Sequence, residues 1–210
     1  NSFVRSGANL EGEAKEQYRT LSKELSLLTL QFGENNLKET NDYKLVLTDP
    51  AQLAGLPQSA IDAAAETAKE KGVEGWVFTL QAPSYSPFMT YASNRDLRCK
   101  LYMAYNTKCT HDNETNNLEI VKKLVNTRLA IAQLLGYSSF AEYNLQERMA
   151  ENSGNVYKLL DQLLDAYTPT AKQEYAEVEA LARQLEGSDF TVMPWDWSCL
   201  LYTSPSPRDR

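Results

Sequence analysis

The stretch YRTLSKELSLLTLQF, residues 18–32, sets Tyr18, Leu21, Leu25, Leu28 and Phe32 at steps of 3, 4, 3 and 4. Arg19, Lys23 and Glu24 fall between them, so the spacing predicts an amphipathic helix. Beyond Phe32 the pattern turns polar, and Lys44–Leu47 either finishes the helix or forms a short extended piece before Asp49-Pro50. A second helical pattern starts at Asn113 or Thr115 and carries Leu118, Val121, Leu124, Val125, Leu129, Ala132 and Leu135 on one face, ended by Gly136. A third runs from Asn155 through Val156, Leu159, Leu160, Leu163, Leu164 and Tyr167. It resumes beyond Pro169 with Ala171, Tyr175, Val178, Leu181 and Leu185 and stops at Gly187, as one kinked helix or two.

The segments between are shorter. Pro57 suits a helix start, Ala60–Ala68 is alanine-rich, and Gly72 and Gly75 close that unit as a cap and turn. Gly75–Leu80 is prone to extended structure and can pair with Lys44–Leu47. Ala82–Tyr91, with Pro83, Pro87 and three aromatic rings, reads as a packed loop. Ser93 or Asn94 caps a helix over Arg95–Tyr105, and Ser139-Phe140-Ala141-Glu142 has the form of a capping box opening a helix to about Met149. The expected fold is mainly α, about six helices with at most a short two-stranded extended element.

Composition narrows the function. Of 210 residues 42% are apolar, and 28 acidic against 21 basic residues leave a net charge of −7. Such a surface repels phosphate backbones and anionic lipid, so neither nucleic acid nor a membrane is an expected partner. The longest apolar stretch, around Leu129–Tyr137, is broken by Gln133 and Gly136 and falls far short of the roughly 20 residues a membrane helix needs. The single histidine and three scattered cysteines, Cys99, Cys109 and Cys199, are too few for a self-contained zinc site and favour a reducing, cytoplasmic setting. The chain opens on Asn1 with no basic-then-apolar leader, which reads as an internal start and leaves a periplasmic parent open.

Chemistry-bearing motifs are sparse. Dinucleotide, phosphate-loop and nucleophile-elbow patterns are all missing from the sequence. His111 beside Asp112 has the elements of a base, but with no nucleophile paired to it the histidine reads as an exposed loop residue. Glu174, Glu177 and Glu179 read as a solvated helix face, and Asn113-Glu114-Thr115 as a chance glycosylation pattern. The unusual material is aromatic: Trp76, Phe78, Tyr85, Phe88 and Tyr91, then Met193-Pro194-Trp195-Asp196-Trp197-Ser198. These rings form either a substrate-facing wall or filler between helices, and filler is the simpler reading.

Four segments resemble the thimet oligopeptidase and peptidyl-dipeptidase family of zinc metallopeptidases. They are LSLLTLQFGENNLKETNDYKLVLT at 25–48 followed by LAGLP at 53–57, GWVFTLQAPSYSPFMTYASNRDLR at 75–98, RLAIAQLLGYSSFAEYNL at 128–145, and PWDWS at 194–198. The resemblance spans essentially residues 1–198 and looks closest to the peptidyl-dipeptidase branch, with oligopeptidase A the near alternative. It implies a parent enzyme that uses zinc held by a His-Glu-x-x-His helix and a downstream glutamate to hydrolyse short peptides. This chain, with one histidine, contains no such motif. The resemblance therefore assigns it no catalytic, cofactor-binding or metal-ligating residue, no bound zinc and no activity of its own. It implies instead the helical region ahead of that motif, which in the family helps to wall a deep channel, in a monomeric parent.

The expected organisation is a truncated helical region over 1–198 and a tail over 199–210. The tail, Cys199-Leu-Leu-Tyr-Thr-Ser-Pro-Ser-Pro-Arg-Asp-Arg210, is similar to translated adapter sequence and reads as non-native, with a natural disordered Ser/Pro tail as the alternative. The reading from a different class is a non-catalytic helical scaffold that binds through its aromatic segments.

Overall fold

A computed structural model describes residues 2–204 of the chain. In chain order it forms α1 (Ser2–Arg5), α2 (Gly12–Asp42), β1 (Leu45–Leu47), a 3-10 turn at Pro50–Leu53, α3 (Gln58–Glu70), β2 (Trp76–Phe78), α4 (Ala82–Tyr91) and α5 (Arg95–Asn106). There follow α6 (Leu118–Leu134), α7 (Phe140–Leu145), α8 (Ser153–Glu186), a second 3-10 turn at Pro194–Asp196 and α9 (Trp197–Thr203). The fold is mainly α with one two-stranded antiparallel sheet among the described residues. None of these helices is long and apolar enough to cross a membrane. The chain divides into two compact units: residues up to 36 with 109–168, and residues 37–108 with those from 169 onward.

In the first unit, Leu28 of α2 packs with Ile120 and Leu124 of α6, with Leu25 against them. That contact chooses the buried side of α6. Ile120, Leu124, Thr127, Ile131 and Ala132 are buried, whereas Leu118, Val121, Val125 and Leu129 are exposed. The single face expected from sequence is thus two stripes, and only Leu124 and Ala132 of the residues assigned to it are buried in the helix. The start also differs, since α6 opens at Leu118 and not at Asn113 or Thr115. Asn113 Oδ1 accepts from the Thr115 amide at 3.0 Å and its hydroxyl at 2.8 Å, and Asn116 Oδ1 accepts from the Leu118 amide at 2.9 Å. These side chains stabilise turns in place of a first helical turn. Gly136 ends α6 as expected, with Gly136 N donating to Gln133 O and Tyr137 N to Ala132 O.

Helix α7 stops at Leu145, short of Met149. Ser139 Oγ caps it by accepting from Glu142 N at 3.2 Å. The Glu142 carboxylate, however, turns to the amide and hydroxyl of Ser153 at the start of α8, so the box is only half closed. Arg5 donates to the Tyr143 carbonyl and pairs with Glu147.

The second unit holds the larger core. The two strands expected to pair do so, antiparallel and in the register Leu45↔Phe78, Val46↔Val77, Leu47↔Trp76. Leu45, Leu47, Phe78, Leu80, Phe88 and Leu101 form one buried cluster, with Phe78 and Phe88 edge-to-face at 4.6 Å between centroids. The residues expected to be a packed loop, Ala82–Tyr91, are instead helix α4. Pro83 occupies the first turn, where no amide hydrogen is required, whereas Pro87, inside the helix, forfeits the bond to the carbonyl four residues back and crowds it. Complete burial of Phe88 and near-complete burial of Met89 outweigh that loss. Helix α8 runs unbroken through Pro169 as one helix of 34 residues. Residues 199–203, assigned above to the tail, lie in α9, where Leu200 is buried against Val178 and Ala182; residues 205–210 fall outside the described residues.

The Gly72 and Gly75 pair is structural. Gly72 (φ +65°) ends α3, and Gly75 (φ +93°) lets the chain pass so close to β1 that a Cβ there would lie 2.1 Å from Leu47 O. Gly75→Ala should therefore destabilise the chain by about 2 kcal/mol or more in urea unfolding. Gly33→Ala, in an exposed helical turn where a Cβ would meet nothing within 4 Å, should stabilise it by about 0.5–1 kcal/mol.

Candidate functional site

Asn94 caps α5 by accepting from the Leu97 amide at 3.1 Å. The cap places Arg95 in the first turn and Arg98 three residues on, so both guanidinium groups leave the same side of the helix. The 3-10 turn at Pro194–Asp196 delivers Asp196 to them, only 1% exposed. Arg95 Nε lies 3.0 and 3.1 Å from the two carboxylate oxygens and its Nη2 2.7 Å from Oδ2. Arg98 Nη2 donates to Oδ1 at 3.0 Å, and the Met193 amide donates to Oδ2 at 3.0 Å.

Further donors of the two guanidinium groups reach backbone carbonyls. Arg98 Nη1 bonds Ala92 O at 2.7 Å and Ser93 O at 3.3 Å, and its Nε bonds Trp195 O at 3.2 Å. Arg95 Nη2 also reaches Thr191 O at 3.0 Å, and its guanidinium lies 4.5 Å from the Phe190 ring centroid. Burial by itself would raise the Asp196 pKa. The bonds from Arg95, Met193 and Arg98 outweigh burial and hold the carboxyl below its ordinary value of 3.8. A carboxylate so engaged on both oxygens is a poor proton acceptor. It fixes the approach of residues 191–196 to α5.

The aromatic residues divide by role. Phe78 and Phe88 are core filler. Trp76, Tyr85 and Tyr91 are half-buried against the same cluster. Tyr85 stacks on Tyr105 at 4.3 Å, Tyr91 meets Tyr202 at 4.8 Å and Tyr102 meets Trp195 at 6.1 Å. Burial, with Tyr102 and Tyr105 nearby, pushes the Tyr85 phenol up, so it stays neutral. Trp197 stacks on Tyr175 at 5.9 Å, and these two rings with Val192, Met193 and Pro194 line an apolar slot of about 330 Å³. A second cavity of about 420 Å³ opens beside α3, where Ala60, Ala64, Thr67 and Phe78 face Lys71 and Gln81. Both hollows are of a size to take a side chain or small molecule.

The other candidates stay apart. His111 and Asp112 are exposed in the turns between α5 and α6. Glu174 and Glu177 are exposed on α8, and Glu179 pairs with Arg183 at 3.0 Å. Asn113 is held in its turn by Thr115. Sequence reasoning did not single out Arg95 and Arg98; the available signal was two arginines three apart behind an Asn cap, together with one acid between two tryptophans.

Residues 88–204, more than half of the chain, match peptidase family M3. The chain is 35% identical to oligopeptidase A of Haemophilus influenzae and of Escherichia coli over 198 residues, covering 92% of this chain and 29% of each relative. It is 30% identical to dipeptidyl carboxypeptidase of Escherichia coli over 197 residues, covering 93% of this chain and 29% of that relative. The chain belongs to peptidase family M3. It spans less than a third of the length of these relatives.

The zinc implied by that membership does not fit the residues here. Among the described residues no group of three His, Cys, Asp or Glu side chains is placed to hold a metal ion, and the one imidazole, His111, is exposed.

Asp196→Ala should destabilise the chain by about 3–5 kcal/mol, because it strands the buried Arg98 charge. Arg95→Met should cost less, since that side chain is partly in solvent. Because the folded-state pKa of Asp196 is depressed, its stabilisation is present above the ordinary value of 3.8 and lost as pH falls through the lower folded value. Urea midpoints between pH 6 and pH 2 should show this acid-side loss in the wild type and a shallower one in Asp196→Asn; equal slopes would contradict the clamp.

Proposed function

We propose that this chain is the helical region ahead of the metal-binding helix in a zinc peptidase that hydrolyses short peptides, and that the hydrolytic chemistry belongs to polypeptide outside it. The observation that carries the reading is the M3 match over residues 88–204, which takes in the Arg95–Arg98–Asp196 clamp and the Tyr91–Tyr202 and Tyr102–Trp195 pairs. In this proposal the clamp locks α5 to the turn at Pro194–Asp196, and the rings of Tyr85, Tyr105, Tyr102 and Trp195 give a stiff surface against which a peptide can be held. Zinc, when bound by the parent, would supply an activated water; the residues of this chain bind and exclude.

The sequence resemblance leaned to a peptidyl-dipeptidase that releases C-terminal dipeptides. Identity is higher to the relatives named oligopeptidase A, 35%, than to the Escherichia coli dipeptidyl carboxypeptidase, 30%, which favours an oligopeptidase A-like endopeptidase as the parent. The proposal also covers a monomeric parent in the cytoplasm, without nucleic-acid or membrane partners, in keeping with the net charge of −7.

The purified 210-residue chain incubated with Zn²⁺ should retain no stoichiometric metal after desalting and should leave an internally quenched peptide uncut. One zinc per chain, or chelator-sensitive cleavage by the chain itself, would overturn the division of labour proposed here.

A further inference from the structure

Ala60, Ala63, Ala64 and Thr67 are spaced so that they share one face of α3. Their short side chains leave room over the helix that longer ones would fill, and they floor the hollow of about 420 Å³. Phe78 and Pro83 add apolar wall. Every described residue that lines this hollow belongs to the second unit. The rim is polar and tied together. Gln81, the N-cap of α4, donates from Nε2 to Asn41 Oδ1 at 2.7 Å and so joins the start of α4 to the last turn of α2. Lys71, the C-cap of α3, reaches the Asn41 carbonyl with Nζ at 3.5 Å. That separation is the outer limit of a hydrogen bond, so a better acceptor placed in the hollow can take the ammonium with little loss. Ser84 Oγ accepts from Thr79 N at 2.9 Å and has its own proton to donate. Among the described residues that line the hollow, Lys71 is the one charged side chain.

We propose that this hollow is a binding site for a small monocarboxylate with a compact apolar body, its carboxylate at Lys71 and Ser84 and its body over Ala60, Ala64 and Phe78. An apolar floor with a few convergent polar groups is the usual build of a small-molecule site, and one ammonium matches one carboxylate. A cation is repelled by Lys71. A nucleotide or sugar phosphate sets at least two negative charges and a polar body against an apolar floor. A neutral apolar molecule covers the ammonium without pairing its charge. The carboxylate belongs either to a free organic acid or to the C-terminal residue of a peptide, which present the same chemistry to this rim. The site does not depend on the function proposed above, because the groups that build it all lie in this chain.

The test titrates the isotopically labelled 210-residue chain with 4-phenylbutyrate, with the neutral 4-phenylbutan-1-ol and with N-acetyl-glycyl-phenylalanine as a peptide C-terminus, following amide resonances. Saturable shifts should centre on Thr67, Lys71, Gln81 and Ser84, with a Kd of about 1 mM or tighter for the acid. Replacing the acid by the alcohol, or Lys71→Gln, should weaken binding about 10-fold, while Lys71→Arg should keep most of it. Ala63→Leu, at an exposed helical position on the floor, should abolish binding and leave the urea midpoint in place. Tighter or equal binding of the peptide would assign the site to peptide termini, and weaker binding of the peptide to free organic acids; either upholds carboxylate recognition. Shifts that fail to saturate by about 10 mM or centre elsewhere, equal binding of alcohol and acid, or binding indifferent to both Lys71→Gln and Ala63→Leu would each overturn the proposal.

Discussion

Two arginines three residues apart on α5 hold a carboxylate that arrives 98 residues after the second of them, and the second unit depends on that meeting. Ionised carboxylates are expensive to bury, and Asp196 is tolerated only because guanidinium and amide donors meet both of its oxygens. The arginines in turn use spare donors on Ala92, Ser93, Thr191 and Trp195 carbonyls. Backbone from two distant stretches is thereby fixed to one helix, and the rings of Tyr102 and Trp195 are brought into contact by the same closure. A purely apolar contact would hold these segments together without setting their register, because dispersion has little direction.

The distribution of apolar surface separates the two units. Phe78, Phe88 and Leu101 sit in a closed cluster that the second unit completes from its own residues. The first unit has only the small group around Leu28, Ile120 and Leu124, while Leu118, Val125, Leu160 and Leu164 remain in contact with solvent. Folding free energy comes mainly from burial, so the second unit carries the larger share of it. The exposed stripes on α6 and α8 are amphipathic patterns that the small core of the first unit does not use.

Much of this was legible in the sequence because local rules decided it. The 3-and-4 spacing of α2, the caps at Asn94 and Ser139 and the stop at Gly136 follow from nearest neighbours, and the pairing of Leu45–Leu47 with Trp76–Phe78 from two short β-prone runs. Three features escaped because something distant or competing decided them. Helix α4 was hidden by Pro83 and Pro87, whose local penalty is overridden by burial of Phe88. The buried side of α6 was ambiguous because the sequence offers two apolar stripes and Leu28, far away in the chain, selects one. The clamp escaped because Arg95 and Arg98 look like ordinary exposed helix charges until Asp196 is placed against them. Family resemblance covered the segments that contain these residues, but it could not assign them their role.

The central claim is that this chain builds and stiffens a wall of a peptidase whose hydrolytic residues lie outside it. Sequencing the source DNA across and beyond the codon for Ser198 tests it most directly. The account predicts an open frame that continues through further helical sequence to a His-Glu-x-x-His motif. A confirmed stop after the Ser/Pro-rich residues, with no such motif in frame, would contradict it and leave a helical binding module in its place.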